Sequence, residues 1–405
     1  MTSSRPPERR LRIVLHTQNL SGVGHYVRAR EIARALATHH QVHIVDGGRP
    51  VPGAPLVGVE HIALPRIVRS DAALRPLDPC LSIDTALAQR AVLLRQAVER
   101  LRPDVLLIEY YPFSKWELQA EIEAAIHATR ATNASARVIC SVRDIPRQTR
   151  QEVASREEYR VRVSALLHAQ FDALIVHGDP LFTTLGRFFQ DADRLTIPIE
   201  YSGIVAEWPA AEFHTRSGIE ELTAGAPFVL ASVGGGVDSQ GVLPHCIRAW
   251  VGITARRALP GYRLVVCASL GTATTDLEAL VAKLGLDTVI VRAFSGDFLQ
   301  WLQSAALSVS CAGYNTCANL LQARSRAILI PKPEMSDQGA RAQLFAERGL
   351  AALLAPAELT AETLAAEICR AVARPRPQHA LRLDGAARTR ELLERFANGA
   401  RGMPG

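Results

Sequence analysis

Short apolar runs alternate with longer stretches of helical periodicity along most of the chain. In the first half the runs fall at residues 13–16, 42–45, 105–108, 138–142 and 173–176. Apolar residues spaced by three and four lie between them, at 25–37, 83–101, 115–130 and 159–170. Runs this short, without polar alternation, are what strands covered on both faces look like. Strand and helix in strict alternation build a parallel, doubly wound sheet. Residues 190–226 lose the pattern, with Pro198, Gly203, Pro209 and Gly218, and are read as a last strand followed by a linker. A second series then begins: strand 228–232, helix 243–257, strand 264–267, helix 275–284, strand 289–291, helix 297–305, strand 307–311. A helix, a strand at 327–330 and a helix carrying Arg341 follow, and helices 363–373 and 380–397 close the chain. The pattern predicts an α/β protein of two Rossmann-like, doubly wound parallel-sheet domains facing a cleft. The expected boundaries are residues 1–205 for the first Rossmann-like domain, 206–226 for a linker, 227–375 for the second, and 376–405 for a terminal helix and tail.

Composition agrees with that architecture and narrows the chemistry. A chain of 405 residues is too long for one ordinary core. Hydrophobic residues make up 48% and charged residues 21%, so the chain folds rather than staying disordered. Aromatics are only 5%, which leaves Ala, Leu, Val and Ile to fill sheets covered by helices. The net charge of +6 favours anionic ligands such as nucleotide diphosphates, or contact with an anionic membrane surface. Lys and Arg are not clustered among aromatics, so nucleic acid is not an expected partner. The seven Cys are scattered, an odd number without paired spacing, which argues against a disulfide scaffold and against zinc. The first ten residues lack an apolar segment, and no apolar run approaches the roughly 20 residues of a spanning helix. The expected location is cytoplasmic, at most peripheral to the inner face of the membrane.

Glycine-rich loops at strand ends carry the candidate chemistry. Gly22 and Gly24 follow the first strand and open a helix at His25; glycines there permit close approach of a ligand, and an imidazole suits a general base. Gly234, Gly235 and Gly236 follow the strand at 228–232, and exposed backbone N–H groups in such a loop suit a diphosphate. Phe294 follows the strand at 289–291 and is a candidate for receiving a base. Gly313, Asn315, Thr316 and Asn319 lie on the next turn and helix, as candidates for phosphate and ribose. Asp337, Gln338 and Arg341 open the following helix, as candidates for the sugar or the phosphates. In the first half Glu109-Tyr110-Tyr111-Pro112-Phe113 is exceptionally aromatic for this chain. Arg143-Asp144 and His177-Gly178-Asp179 also stand at strand ends. Aromatic faces suit an acceptor, with Arg143, Asp144 and His177 to bind or orient it, and Asp144 or Glu109 as alternative bases. An ordinary structural part (turn glycine, core aromatic, Arg–Asp ion pair) remains open for each of these.

Taken in order, Gly-Val-Gly-His at 22–25, Gly-Gly-Gly at 234–236, Phe-Ser-Gly-Asp at 294–297, Cys-Ala-Gly-Tyr-Asn-Thr at 311–316 and Asp-Gln-Gly-Ala-Arg-Ala at 337–342 resemble GT-B glycosyltransferases. The likeness is to the family of the peptidoglycan lipid-intermediate N-acetylglucosaminyltransferase, in its predicted-glycosyltransferase branch. It spans about residues 11–375 and is strongest over 292–349. The resemblance implies an acceptor-side His25, a diphosphate on Gly234–Gly236, a base at Phe294 and the donor sugar at Gln338. It also implies a ribose-binding Glu where this chain has Asn319, a departure that puts standard ribose binding in question. The expected reaction is inverting transfer of a sugar from a nucleotide-diphosphate donor to a hydroxyl or amine, without a metal or other cofactor. A nucleotide-sugar 2-epimerase or hydrolase of the same fold, and a non-catalytic nucleotide-sugar-binding protein, are the alternatives.

Overall fold

The structure is a computed structural model that describes residues 9–20, 22–51, 55–70, 73–146, 155–207, 214–235, 238–270, 272–293 and 297–399. It divides into two compact units, residues 1–205 with 384–405, and residues 206–383.

In the first unit the strands run β1 (Arg12–His16), β2 (Gln41–Asp46), β3 (Val59–Ala63), β4 (Ile67–Ser70), β5 (Ala73–Pro76), β6 (Val105–Glu109), β7 (Arg137–Arg143), β8 (Ala173–His177) and β9 (Ile199–Tyr201). Seven form one sheet in the order β3-β2-β1-β6-β7-β8-β9, while β4 and β5 make a separate antiparallel hairpin. All neighbours in the large sheet are parallel; Ile13, for example, lies between Val42 and Val105. Alternation along β1 sends Val14 to one core, with Leu106 and Val138. Ile13 and Leu15 go to the other, with Leu107 and Ile139. Helices α1 (Gly24–Ala37), α2 (Ile83–Leu101), α3 (Gln119–Thr132) and α4 (Arg156–Gln170) link the strands. Serines cap two of them, Ser82 accepting from the Thr85 N–H and Ser155 from the Glu158 N–H.

The second unit contains α5 (His214–Thr223), β10 (Phe228–Ser232), α6 (Val242–Ala255), β11 (Arg263–Cys267), α7 (Thr275–Lys283), β12 (Val289–Arg292) and α8 (Phe298–Ser304). It continues with β13 (Leu307–Ser310), α9 (Tyr314–Ala323), β14 (Ala327–Leu329), α10 (Ser336–Glu347), β15 (Ala352–Leu353) and α11 (Ala361–Val372). Its sheet is parallel throughout, in the order β12-β11-β10-β13-β14-β15. The buried core on one side centres on Trp250, Val266, Val309 and Ile368.

The last helix, α12 (Gly385–Ala397), belongs to the first unit, where Leu392, Leu393 and Phe396 join the core of Ile13, Leu15 and Ile32. Its start is tight against the backbone: a Cβ on Gly385 would lie 2.6 Å from the Gly203 carbonyl oxygen. Helix α5 occupies part of the stretch read as linker. Helix α3 starts at Gln119 rather than Lys115, because Lys115 is left-handed (φ 67) and a short 3-10 turn, Trp116–Leu118, intervenes.

Candidate active-site residues

In each sheet the strand order reverses once, between β1 and β6 in the first unit and between β10 and β13 in the second. Open α/β sheets bind ligands outside the carboxyl ends of the strands at such a reversal. His25 follows β1 and Glu109 ends β6; Gly234 follows β10 and Gly313 follows β13. These four sequence-predicted residues thus lie at the two reversal points, while Arg143, His177 and Asp337 end or follow other strands.

In the first unit Glu109 is the focus. It is buried, and its Oε1 lies 2.8 Å from His25 Nδ1 and also accepts from Arg28 Nη2, while Oε2 accepts from Lys115 Nζ at 3.1 Å. Burial alone would raise its pKa, but His25, Lys115 and Arg28 outweigh burial and hold it well below the ordinary carboxylate value. An ionised carboxylate only accepts, so Nδ1–H of a neutral His25 donates to it and the Nε2 lone pair points elsewhere. Burial lowers the His25 pKa from 6.5 to about 3; Glu109 opposes the shift and Lys115 and Arg143 add to it. Burial sets the direction, and the Lys115 and Arg143 cations offset part of what the Glu109 carboxylate would restore. The imidazole keeps 21% of its side chain exposed. Its ring meets Tyr110 edge-on, with centroids 5.1 Å apart, and the Arg143 guanidinium lies over the Tyr110 ring, 4.9 Å from its centroid. Helix α1 is seated by Asn19, whose Oδ1 accepts from the Tyr26 N–H at 2.9 Å.

A second buried cluster stands behind the loop between β1 and α1. Arg90 donates to both oxygens of Glu121, at 2.7 and 2.8 Å, and to Gln18 Oε1 at 2.8 Å, and His16 Nε2 lies 3.0 Å from Glu121 Oε1. Gln18 connects the clusters, because its backbone carbonyl accepts from Lys115 Nζ at 2.7 Å. Gly47 is required here: a Cβ would lie 2.0 Å from Arg90 Nη1.

The other acceptor-side candidates are packed parts. Tyr111 and Phe113 are core residues, Tyr111 against Phe171 and Phe113 against Phe189, and Tyr110 is also buried. His177 is buried between Ser141 Oγ at 2.7 Å and Ser202 Oγ at 2.9 Å, and burial lowers its pKa to about 3. Asp144 is buried, and its Oδ1 accepts from the Ile145 N–H at 2.8 Å. Gly22 has open space where a Cβ would go, and Gly24 is the first residue of α1.

In the second unit Gly234 is left-handed (φ 72), and a Cβ there would come within 3.5 Å of Thr316 Oγ1. The loop after β10 therefore comes within contact distance of the first turn of α9, and its left-handed backbone is what favours glycine at 234. Helix α9 has Gly313 as its N-cap, with no side-chain cap and no acidic residue in the first turn. Such an N-terminus suits an anion. By contrast, the start of α6 is already satisfied by Asp238, whose carboxylate accepts from the Val242 and Leu243 N–H groups at 2.9 and 3.0 Å. Arg341 and Asp337 are both buried and paired at 3.1 Å, and Arg341 also donates to the Ala312 carbonyl at 3.0 Å. This guanidinium braces the turn before α9. Gln338 Oε1 accepts from the Lys332 N–H at 3.2 Å, and Ser239 donates to Glu334 at 2.7 Å, so the segment before α10 is tied to the loop after β10. Asn319 donates to Glu207 Oε2 at 2.9 Å. Asn315 lies in the first turn of α9 beside Thr316, and Gly235 follows Gly234 in the loop. Gly236 and Phe294 lie outside the described residues.

Lys115, Arg28, Asn19 and Gln18 were not singled out by sequence. Lys115 sits inside a helical pattern and Arg28 on a helix face, and only the return of the chain after β6 brings them to one carboxylate. Among the described residues there is no group of three His, Cys, Asp or Glu side chains placed to hold a metal, and no helix long and apolar enough to cross a membrane.

Residues 235–391 match the glycosyltransferase family 28 C-terminal domain. No curated protein matches the chain. Among solved structures, the spinosyn forosaminyltransferase SpnP is similar with a TM-score of 0.58 and 15% identity, over 97% of this chain and 96% of that one. The glycosyltransferase VinC, solved in complex with dTDP, gives 0.54 and 15% over 96% and 95%. MurG of Acinetobacter baumannii gives 0.51 and 15% over 94% and 95%. At this identity the likeness establishes a common fold, the two-domain α/β GT-B arrangement.

Proposed function

We propose that this chain, a glycosyltransferase of GT-B fold with a family 28 C-terminal domain, transfers a sugar from a nucleotide-diphosphate donor to an acceptor hydroxyl or amine. The observation that carries the mechanism is the His25–Glu109 pair at the reversal point of the first sheet. The neutral imidazole takes the acceptor's proton on Nε2 as the acceptor oxygen or nitrogen bonds to the anomeric carbon. The bond from that carbon to the diphosphate breaks, and the leaving group departs with the electron pair. A single displacement inverts the configuration. Glu109 holds the tautomer and faces the imidazolium as it forms, the part a buried carboxylate plays behind a histidine base.

The donor's diphosphate is assigned to the Gly234 loop and the start of α9, whose N–H groups meet charge developing on the leaving group. VinC, of the same fold, was solved in complex with dTDP, which supports a nucleotide-linked donor. Turnover needs no metal in this scheme, because backbone dipoles take the role a cation would have, and the donor is a co-substrate rather than a cofactor. The positive net charge is compatible with cytoplasmic work on a soluble acceptor or one at an anionic membrane surface. The test is product analysis: donor sugars offered with an acceptor library should yield glycoside of inverted configuration plus nucleoside diphosphate, in the presence of EDTA. Epimerised donor, or free sugar alone whatever the acceptor, would replace this scheme with the epimerase or hydrolase.

A further inference from the structure

Lys115 has no place in the scheme above, yet it occupies an expensive position. Its ammonium is buried, and its backbone is left-handed (φ 67), a conformation that side-chain-bearing residues rarely adopt. Burying an ammonium is unfavourable unless it is paired and hydrogen-bonded. Nζ meets both conditions, donating to Glu109 Oε2 at 3.1 Å and to the Gln18 carbonyl at 2.7 Å. Arg28 alone would balance the charge of Glu109, so the second cation does something other than neutralise it.

We propose that Lys115 is a positioning residue for proton transfer: it ties Glu109 Oε2 to the loop carrying Gln18, so that Oε1 faces His25 Nδ1, and it keeps the His25–Glu109 pair from holding an extra proton. This rests on His25 being the base. The groups facing the imidazole are Glu109 from β6, Lys115 from the turn after it, Arg143 from β7 and the Tyr110 ring, with Arg28 on the same helix acting through Glu109. Of these only Glu109 favours the imidazolium, and Lys115 is bonded to it directly. Removing Lys115 leaves Glu109 with one permanent cation, which makes room for a charged imidazole. Burial dominates the lowered His25 pKa and Lys115 adds to it, so its loss acts upward.

The test uses full-length protein with isotope-labelled histidine, its His25 resonance assigned through His25→Gln. In Lys115→Met and Lys115→Gln the titration midpoint of His25 should rise by about one pH unit or more, whereas Lys115→Arg should keep it near the wild-type value. The acid limb of the kcat/KM profile should move up with the midpoint, so the pH at which the rate falls to half rises by the same amount in the two neutral variants. Either neutral variant suffices if the other does not fold. An unmoved midpoint, or one that moves equally in Lys115→Arg, overturns the proposal. A midpoint that rises while the rate profile stays put supports the role of Lys115 on the pair and removes His25 as the base.

Discussion

One carboxylate collects three nitrogen donors from different places in the chain, and that convergence gives neighbouring substitutions distinguishable effects. His25→Ala removes the proton acceptor and should lower kcat by about 10²–10⁴-fold with donor affinity unchanged. His25→Gln should be nearly as slow. An imidazole at its ordinary pKa would give an acid limb near 6.5, but with the His25 pKa near 3 the wild-type profile should stay flat through that region. A stopped assay from pH 5 to 8 checks this. Glu109→Gln should cost activity and stability together, because Arg28 and Lys115 would face a neutral amide; about 3 kcal/mol is typical for breaking a buried pair. Chemical denaturation of that variant gives the number. The sequence pointed to His25 and Glu109 as separate candidates for the base; what it could not supply was their distance, set by β1 and β6 being neighbours although 84 residues separate the two side chains.

Elements with both faces covered were legible and those with exposed faces were not. The runs at 105–108 and 173–176 sit in strands that are buried throughout. Strand β3 is mostly exposed, with only Val59 and Ile62 half-buried, and the β4–β5 hairpin is short and rich in Arg and Pro, so neither gave an apolar run. Helix α2 begins and ends where the periodicity placed it, because Ser82 caps one end and Arg102 turns left-handed at the other. Two glycines carry loops whose partners were not legible. Gly47→Ala should destabilise by about 1–3 kcal/mol, since its Cβ would occupy the Arg90 guanidinium. Urea unfolding measures it, and an unchanged midpoint would mean that Arg90 has another seat. Gly234→Ala is strained by its positive φ and shifts the loop that faces α9, so nucleotide affinity should fall about tenfold or more with the global fold intact.

For the whole molecule, the alternation of strand and helix made two parallel sheets legible, while the destination of the last helix was not. Amphipathic spacing shows that α12 has an apolar face, but not that Leu392, Leu393 and Phe396 complete the core of the first unit. Truncation after residue 383 should therefore destabilise the first unit selectively, as read by hydrogen exchange in β1 and β2, with β10 and β13 unaffected. Acid should act on the same unit. His25 and His177 are both held near pKa 3 by burial, so the unfolded chain binds protons that the folded one refuses as pH falls below 6.5. That stability is present above 6.5 and is lost progressively toward 3, so the urea midpoint should be lower at pH 5 than at 7.5. The carboxylates Glu109 and Glu121 add their loss only below their ordinary value of 4.5.

The division of labour is the central claim: proton transfer on His25 in the first unit, nucleotide on the Gly234 loop and α9 in the second. Calorimetric titration of nucleoside diphosphates into wild type, His25→Ala and Gly234→Val tests it most directly. Wild type and His25→Ala should bind the same nucleoside diphosphate with equal affinity, and Gly234→Val should lose it. Binding that survives in Gly234→Val, or that falls as far in His25→Ala, would contradict the assignment, as would the absence of binding by every nucleoside diphosphate to the wild-type protein.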